Sequence, residues 1–143
     1  MKKKVLIVSA SYYKNITSSL ISDAEILLNE SKIQFNVIDV PGIFEIPVTI
    51  AKNIKKYNGF IALGCVIKGQ TPHFDFISKT TFQGLINLSI QHKKPIANGI
   101  ITALDQAQAV QRSGLNELGL EKYKNKGKGK EAAKAVISVL SQK

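Results

Sequence analysis

Apolar and polar positions follow two rhythms along this chain. Four short runs are rich in apolar residues: VLIVSA (Val5 to Ala10), FNVIDV (Phe35 to Val40), GFIALGCVI (Gly59 to Ile67) and KPIANGIIT (Lys94 to Thr102). The first and third are apolar on both sides of the pleat, as strands covered on both faces must be. Between the runs the period becomes helical. Ile16, Leu20, Ala24 and Leu27 mark a first helix with Asn15 or Thr17 as its N-cap, and Ile46, Ile50 and Ile54 mark a second over about Phe44 to Lys56. A third is expected over Phe74 to Gln91, a short one over Gln106 to Arg112, and a last over Lys130 to Ser141 with Ala133, Val136, Ile137 and Leu140 on one face. Strand alternating with helix predicts an α/β fold, a three-layer αβα sandwich around a four-stranded parallel sheet.

The length of 143 residues suits one domain, residues 1–143, and no stretch interrupts it as a linker. MKKKVLIVSAS reads as a first strand rather than a signal, and no apolar run nears the roughly 18 residues of a membrane span. The single cysteine, Cys65, leaves no internal disulfide framework and fits a reducing compartment, so a soluble cytoplasmic chain is expected. The formal net charge of +10 brings nucleic acid to mind, but Arg112 is the only arginine among 20 basic residues. Phosphate and base readers exploit the planar guanidinium fork, so the lysine excess is read as solvated surface, with no nucleic-acid or membrane partner. Lys122, Lys124, Lys126, Lys128 and Lys130 alternate in EKYKNKGKGK, read as a loop before the final helix.

Ligands of open parallel sheets sit beyond the carboxyl ends of the strands. In KGQTPHF, Gly69 permits a tight turn, Gln70 and Thr71 offer amide and hydroxyl donors, and the helix that follows Pro72 presents its positive end. His73 at that edge is either a surface histidine opening a helix or a proton carrier. Glu45 in PGIFEIP either meets a ligand or is solvated in a first helical turn. Tyr12 and Tyr13 can stack on a planar ring or pack at the strand end. Arg112 can grip a phosphate through two nitrogens or pair with a surface carboxylate. Cys65, inside an apolar strand, reads as an inert core thiol, and no His, Cys, Asp and Glu spacing suits a metal.

In this order, SYYKNIT, PGIFEIP, GCVIKGQTPHF and QAVQRSG resemble the lumazine synthases of riboflavin biosynthesis. The resemblance covers about residues 5 to 114 and resumes in the final helix. It implies a flavodoxin-like fold and a transferase that needs no cofactor. Its reaction would condense 5-amino-6-(D-ribitylamino)uracil with 3,4-dihydroxy-2-butanone 4-phosphate to 6,7-dimethyl-8-ribityllumazine, phosphate and water. It implies proton transfer by His73 and a pyrimidine and ribityl site lined by Tyr12, Ile43, Phe44, Glu45, Cys65, Val66 and Ile67. Tyr12 stands where these enzymes usually have phenylalanine. Gln70, Thr71 and Arg112 fall on the phosphate site. Asn98 falls where an aromatic residue often faces the neighbouring subunit's site. For the family's ligand-holding lysine, the NKG motif selects Lys126 and helix register selects Lys128, and both stay open.

The resemblance also implies a homo-oligomer with sites shared between adjacent subunits. The connection after Arg112 is several residues longer than the family commonly has, and it is expected to obstruct contacts between pentamers. A pentamer or decamer is therefore expected rather than an icosahedral 60-mer. An archaeal-type riboflavin synthase of the same fold would need no phosphate site, and a flavin-holding module would show no turnover.

Overall fold

VLIVSA has almost no polar face to offer water, and Val5, Leu6, Ile7 and Val8 are fully buried. They lie in β1 (Lys4–Ala10) of the computed structural model, which describes residues 2–70, 72–114 and 127–143. With β2 (Gln34–Val40), β3 (Gly59–Ile67) and β4 (Ile96–Ala103), β1 forms a four-stranded sheet in the order β2-β1-β3-β4. Every pairing is parallel, with Ser9 opposite Asp39 and Leu63, and Ile67 opposite Ala103.

Side chains of successive strand residues leave the sheet on opposite faces, which separates the apolar interior into two cores. On one face Val5, Ile7, Ile61, Leu63 and Ile101 meet α1 (Lys14–Glu30), α4 (Gln106–Ser113) and α5 (Lys128–Leu140) through Ile16, Leu20, Ala109, Ala133 and Val136. On the other, Leu6, Val8, Phe60 and Ile100 meet a 3₁₀ turn (Ile43–Glu45), α2 (Ile46–Lys52) and α3 (His73–His92) through Ile43, Ile46, Ile50 and Leu85. Full burial of each such Leu, Ile or Phe contributes about 1.5–3 kcal/mol, and both faces of β1 and β3 collect it. The expected three-layer α/β sandwich is what forms, consistent with a flavodoxin-like fold.

Several expected boundaries shift, each for a local reason. α1 is not capped by Asn15 or Thr17. Its N-cap is Tyr13, and Thr17 is buried instead, donating its hydroxyl to the Ala10 carbonyl at 3.0 Å. On the same helix the fourth buried apolar position is Leu28 rather than Leu27, which is only partly covered. α2 ends at Lys52 instead of Lys56. The amide of Asn53 returns to the Ile50 carbonyl and its side chain donates to the Thr49 carbonyl, closing the helix. β4 begins at Ile96 rather than Lys94, because the Lys94 amide is used by the Ser89 carbonyl and its ammonium by the Ile54 carbonyl at 2.6 Å. α5 begins at Lys128, two residues early.

The chain leaves β1 toward β2 on one side, while β3 pairs on the other. The loops after β1 and β3 therefore diverge, and the crevice between them is the topological switch point where such sheets take ligands. A glycine makes one helix contact on this frame: a Cβ on Gly129 of α5 would overlap the Leu20 carbonyl oxygen of α1. Gly84 of α3 has only ordinary contacts, 3.4 Å to Pro47. Gly129→Ala is expected to lose about 1–3 kcal/mol of stability, whereas Gly84→Ala gains up to about 1 kcal/mol from helix propensity. Urea unfolding at one fixed protein concentration checks both signs.

Candidate active site

The carboxyl ends of β1 and β3 are drawn together with the PGIFE turn. A Cβ on Gly64 of β3 would stand 3.0 Å from the Ile43 side chain and 3.3 Å from the Ala10 Cβ. Only glycine lets the three segments close this tightly. Ile43 is thereby anchored in the core, while Phe44 and Glu45 beside it face outward, Phe44 with 54% of its surface exposed. The Glu45 carboxylate folds back toward Gly42, with Oε1 3.3 Å from where a Cβ on that glycine would be. Of the two readings of Glu45, an exposed carboxylate in a first helical turn is what the fold gives, at a position open to ligand.

The turn after β1 is fixed by a carboxylate that sequence reasoning missed. Asp39 accepts from the Ser9 hydroxyl at 3.2 Å through Oδ1 and from the Ser11 hydroxyl at 2.8 Å through Oδ2. The Ser11 amide adds a bond to the Val40 carbonyl. A serine inside an otherwise apolar strand, in register with an aspartate, was the available signal. Beyond this clamp Tyr12 projects with 78% exposure, its ring 4.9 Å from that of Tyr13 in an edge-on arrangement. Tyr13 packs against the core that contains Cys65. Burial pushes its phenol above the ordinary value, and the neighbouring Cys65 and Tyr12 add to this.

β3 ends in Cys65, Val66 and Ile67, of which Cys65 is buried and the other two half-buried. The turn that follows carries Lys68, Gly69 and Gln70, all exposed; Thr71 lies outside the described residues. Pro72 is the N-cap of α3, and its carbonyl accepts from the Asp75 and Phe76 amides. His73 is the first residue of the helix rather than a residue ahead of it, and it is exposed. Among the described residues no side chain caps this helix start. The positive end of a 20-residue helix thus faces the crevice beside His73, with the Asp75 carboxylate as the acidic group of its first turn.

Arg112 reaches the same place from α4. Its Nη1 donates to the Thr102 carbonyl at 2.7 Å, while the Lys68 amide donates to the adjacent Ala103 carbonyl at 2.9 Å. Two consecutive carbonyls at the end of β4 therefore hold the arginine on one side and, on the other, Lys68 where β3 ends. α4 ends at Gly114, whose φ of 78° favours glycine, and Gly114 lies against Gly127 across the undescribed residues 115–126. That contact sets Lys128 at the start of α5 near the end of α4, its ammonium 3.9 Å from Glu131. Lys126 lies outside the described residues.

Asn98 is not brought to this edge. It lies in the middle of β4 on the α3 face, in a groove of about 400 Å³ with Lys79, Phe82, Gln83 and Ile86. Its Oδ1 accepts from the Ile100 amide at 3.0 Å. Among the described residues no group of three or more His, Cys, Asp or Glu is placed to hold a metal ion, and no helix is long and apolar enough to cross a membrane.

Comparison with known proteins agrees with this geometry. The sequence model of 6,7-dimethyl-8-ribityllumazine synthase matches residues 2–143. The protein of that name from Nitrobacter hamburgensis is 36% identical over 144 residues, spanning 96% of this chain and 83% of the relative. The one from Bartonella tribocorum is 36% identical over 100% of this chain and 93% of its own, and the one from Agrobacterium fabrum 35% over 99% and 95%. The chain belongs to the lumazine synthase family, enzymes of riboflavin biosynthesis.

Cys65 yields a direct test of the packing at the end of β3. Desolvation pushes its thiol up to about 11. The folded state holds this proton more tightly than the unfolded one, so the contribution to stability is present below the unfolded value and is lost as pH rises toward 11. At pH 8 only about one thousandth of the thiol is ionised, and alkylation by iodoacetamide is expected to be at least tenfold slower in the native protein than in urea. Equal rates in the two states would show that the strand end is open.

Proposed function

We propose that the chain catalyses the lumazine synthase reaction at the carboxyl edge of β1, β3 and β4. In it, the 5-amino group of 5-amino-6-(D-ribitylamino)uracil adds to the ketone of 3,4-dihydroxy-2-butanone 4-phosphate, and water leaves to form an imine. Phosphate is then eliminated, and the ribityl-bearing nitrogen closes the second ring with loss of another water. The products are 6,7-dimethyl-8-ribityllumazine, phosphate and water. The observation that supports this best is the end of β4, where the Thr102 carbonyl holds Arg112 and the neighbouring Ala103 carbonyl holds Lys68 at the exit of β3, the strand that leads to His73.

Each step asks for something these residues supply. Elimination needs stabilisation of departing phosphate, which the guanidinium, the amides of the Gln70 turn and the positive end of α3 provide together. Thr71 would add a hydroxyl. Imine formation and ring closure need a proton carried between nitrogen and oxygen, the task of the His73 imidazole. The pyrimidine ring lies between the exposed Tyr12 ring and the Ile43–Glu45 turn, with Val66 and Ile67 beneath it and Glu45 positioned to accept from the ribityl hydroxyls or ring N–H groups. Lys126 or Lys128 adds a cation. Much of the acceleration comes from holding two reactants in contact.

Single-chain exposure supports a homo-oligomer with shared sites. Phe44, Val48, Phe76 and Ile90 lie on the layer formed by the 3₁₀ turn, α2 and α3, and Phe76 and Ile90 expose 67% and 69% of their surface. Covering such apolar area is the usual role of a subunit interface. Asn98, on the same face, would then meet the neighbour's site rather than its own. The assembly proposed is a pentamer or decamer acting in the cytoplasm. Sedimentation analysis is expected to give one of these masses; a shell-sized particle or a monomer would contradict it.

The activity is tested by mixing purified protein with both substrates and following lumazine absorbance and phosphate release above the spontaneous background. Arg112→Ala is expected to raise KM for the butanone phosphate about 10- to 100-fold, the loss of one charge-assisted contact. His73→Ala is expected to lower kcat by up to about 100-fold, since proximity survives the loss of the proton carrier. A folded, oligomeric wild type without acceleration would overturn the assignment and favour flavin binding without turnover.

A further inference from the structure

The fold does more than deliver Arg112 to the edge; it restrains the loop and helix on which Arg112 stands. α4 is short, Gln106–Ser113, and isolated helices of this length do not persist without fixed ends. Its first turn is held by two side chains. Asp105, the N-cap, accepts from the Gln108 amide through Oδ1 at 2.8 Å. The Gln108 side chain reaches back, its Oε1 accepting from the Leu104 amide at 2.9 Å. Gln108 and Arg112 are four residues apart and share one face of the helix, and both turn back onto the same junction. Gln108 takes the Leu104 amide, and Arg112 gives Nη1 to the Thr102 carbonyl.

We propose that Asp105 and Gln108 are positioning residues for anion binding by Arg112. The two side chains fix the turn between β4 and α4. That turn fixes the distance from Arg112 to the Thr102 carbonyl. Among the described residues the fork is tied through Nη1, and its other edge, Nε with Nη2, is the pair that would meet a phosphate without first losing side-chain freedom. Without the cap, the first turn of α4 frays and the tether to Thr102 becomes one of several conformations. The lower part of the helix stays seated, because Ala109 and Ser113 are buried and the Ser113 carbonyl accepts from Ser19 of α1. The effect is therefore confined to Arg112 and does not reach the sheet.

This inference rests on the proposed phosphate site, and the test separates the two. Inorganic phosphate binding is measured by calorimetry on the intact protein, alongside kcat and both KM values, for wild type, Arg112→Ala, Asp105→Ala, Asp105→Asn and Gln108→Ala. Asp105→Ala and Gln108→Ala are expected to weaken phosphate binding and raise KM for the butanone phosphate in parallel, by about 3- to 10-fold. KM for the pyrimidine stays within about twofold. Asparagine caps a helix as well as aspartate, so Asp105→Asn is expected to bind phosphate as wild type does, or more tightly for loss of a negative charge. In the Arg112→Ala background, removing the cap is expected to change nothing further. If Asp105→Ala leaves phosphate binding intact while Arg112→Ala weakens it, the positioning role is wrong and the phosphate site stands. The same role fails if Asp105→Ala impairs use of both substrates equally, if Asn fails to rescue, or if wild type binds no phosphate. A wild type that binds phosphate in this cap-dependent way without turnover supports the positioning role and overturns the reaction.

Discussion

Two strands with no face to spare govern this structure. β1 and β3 are buried on both sides, so helices must cover the whole sheet and leave only strand ends for chemistry. Parallel pairing then sends all four chain exits to one edge. Because β3 pairs with β1 on the side opposite β2, the two central exits diverge and open a crevice between them. The location of the proposed site is thus a consequence of burial, independent of which functional side chains stand there.

What occupies the crevice is held by backbone more than by side-chain pairs. The Gly64 contact draws Ile43 and Ala10 together, Asp39 clamps the β1 exit through two serine hydroxyls, and Thr17 ties α1 to the Ala10 carbonyl. The carbonyls of Thr102 and Ala103 do the same for Arg112 and for Lys68 at the exit of β3. A site built this way presents an arginine, an imidazole and a helix start at fixed places while Tyr12 and Phe44 stay open to solvent. Their exposure is what a neighbouring copy would cover in the proposed oligomer.

The four strands, the alternation with helices and the edge where the strands end were legible in the sequence, because continuous apolar runs and turn residues have few other readings. Ile43, Cys65, Val66, Ile67, Gln70, His73 and Arg112 could be placed at that edge from the motifs alone. Helix ends were less legible. Thr17 looks like a cap but is more valuable buried with its hydroxyl on a carbonyl, and Lys94 looks like strand but spends both its amide and its ammonium elsewhere. Contacts between distant segments were less legible. Ser9 inside an apolar strand hints at a polar partner, but only the register of β1 with β2 identifies it as Asp39, and the roles of Asp105 and Gln108 depend on where β4 ends. Asn98, expected to face a neighbouring subunit's site, lies by register in the middle of β4 on the α3 face, away from this chain's own strand ends.

The most direct test of the account is a crystal structure of the assembled protein with inorganic phosphate and an unreactive ribitylamino-pyrimidine bound together. Phosphate is predicted beside Arg112 and the amides that open α3, with the pyrimidine between Tyr12 and the Ile43–Glu45 turn, within reach of His73. Phosphate bound away from Arg112, or the ring seated off the carboxyl edge of β1 and β3, would contradict the claim that this edge is the reaction site.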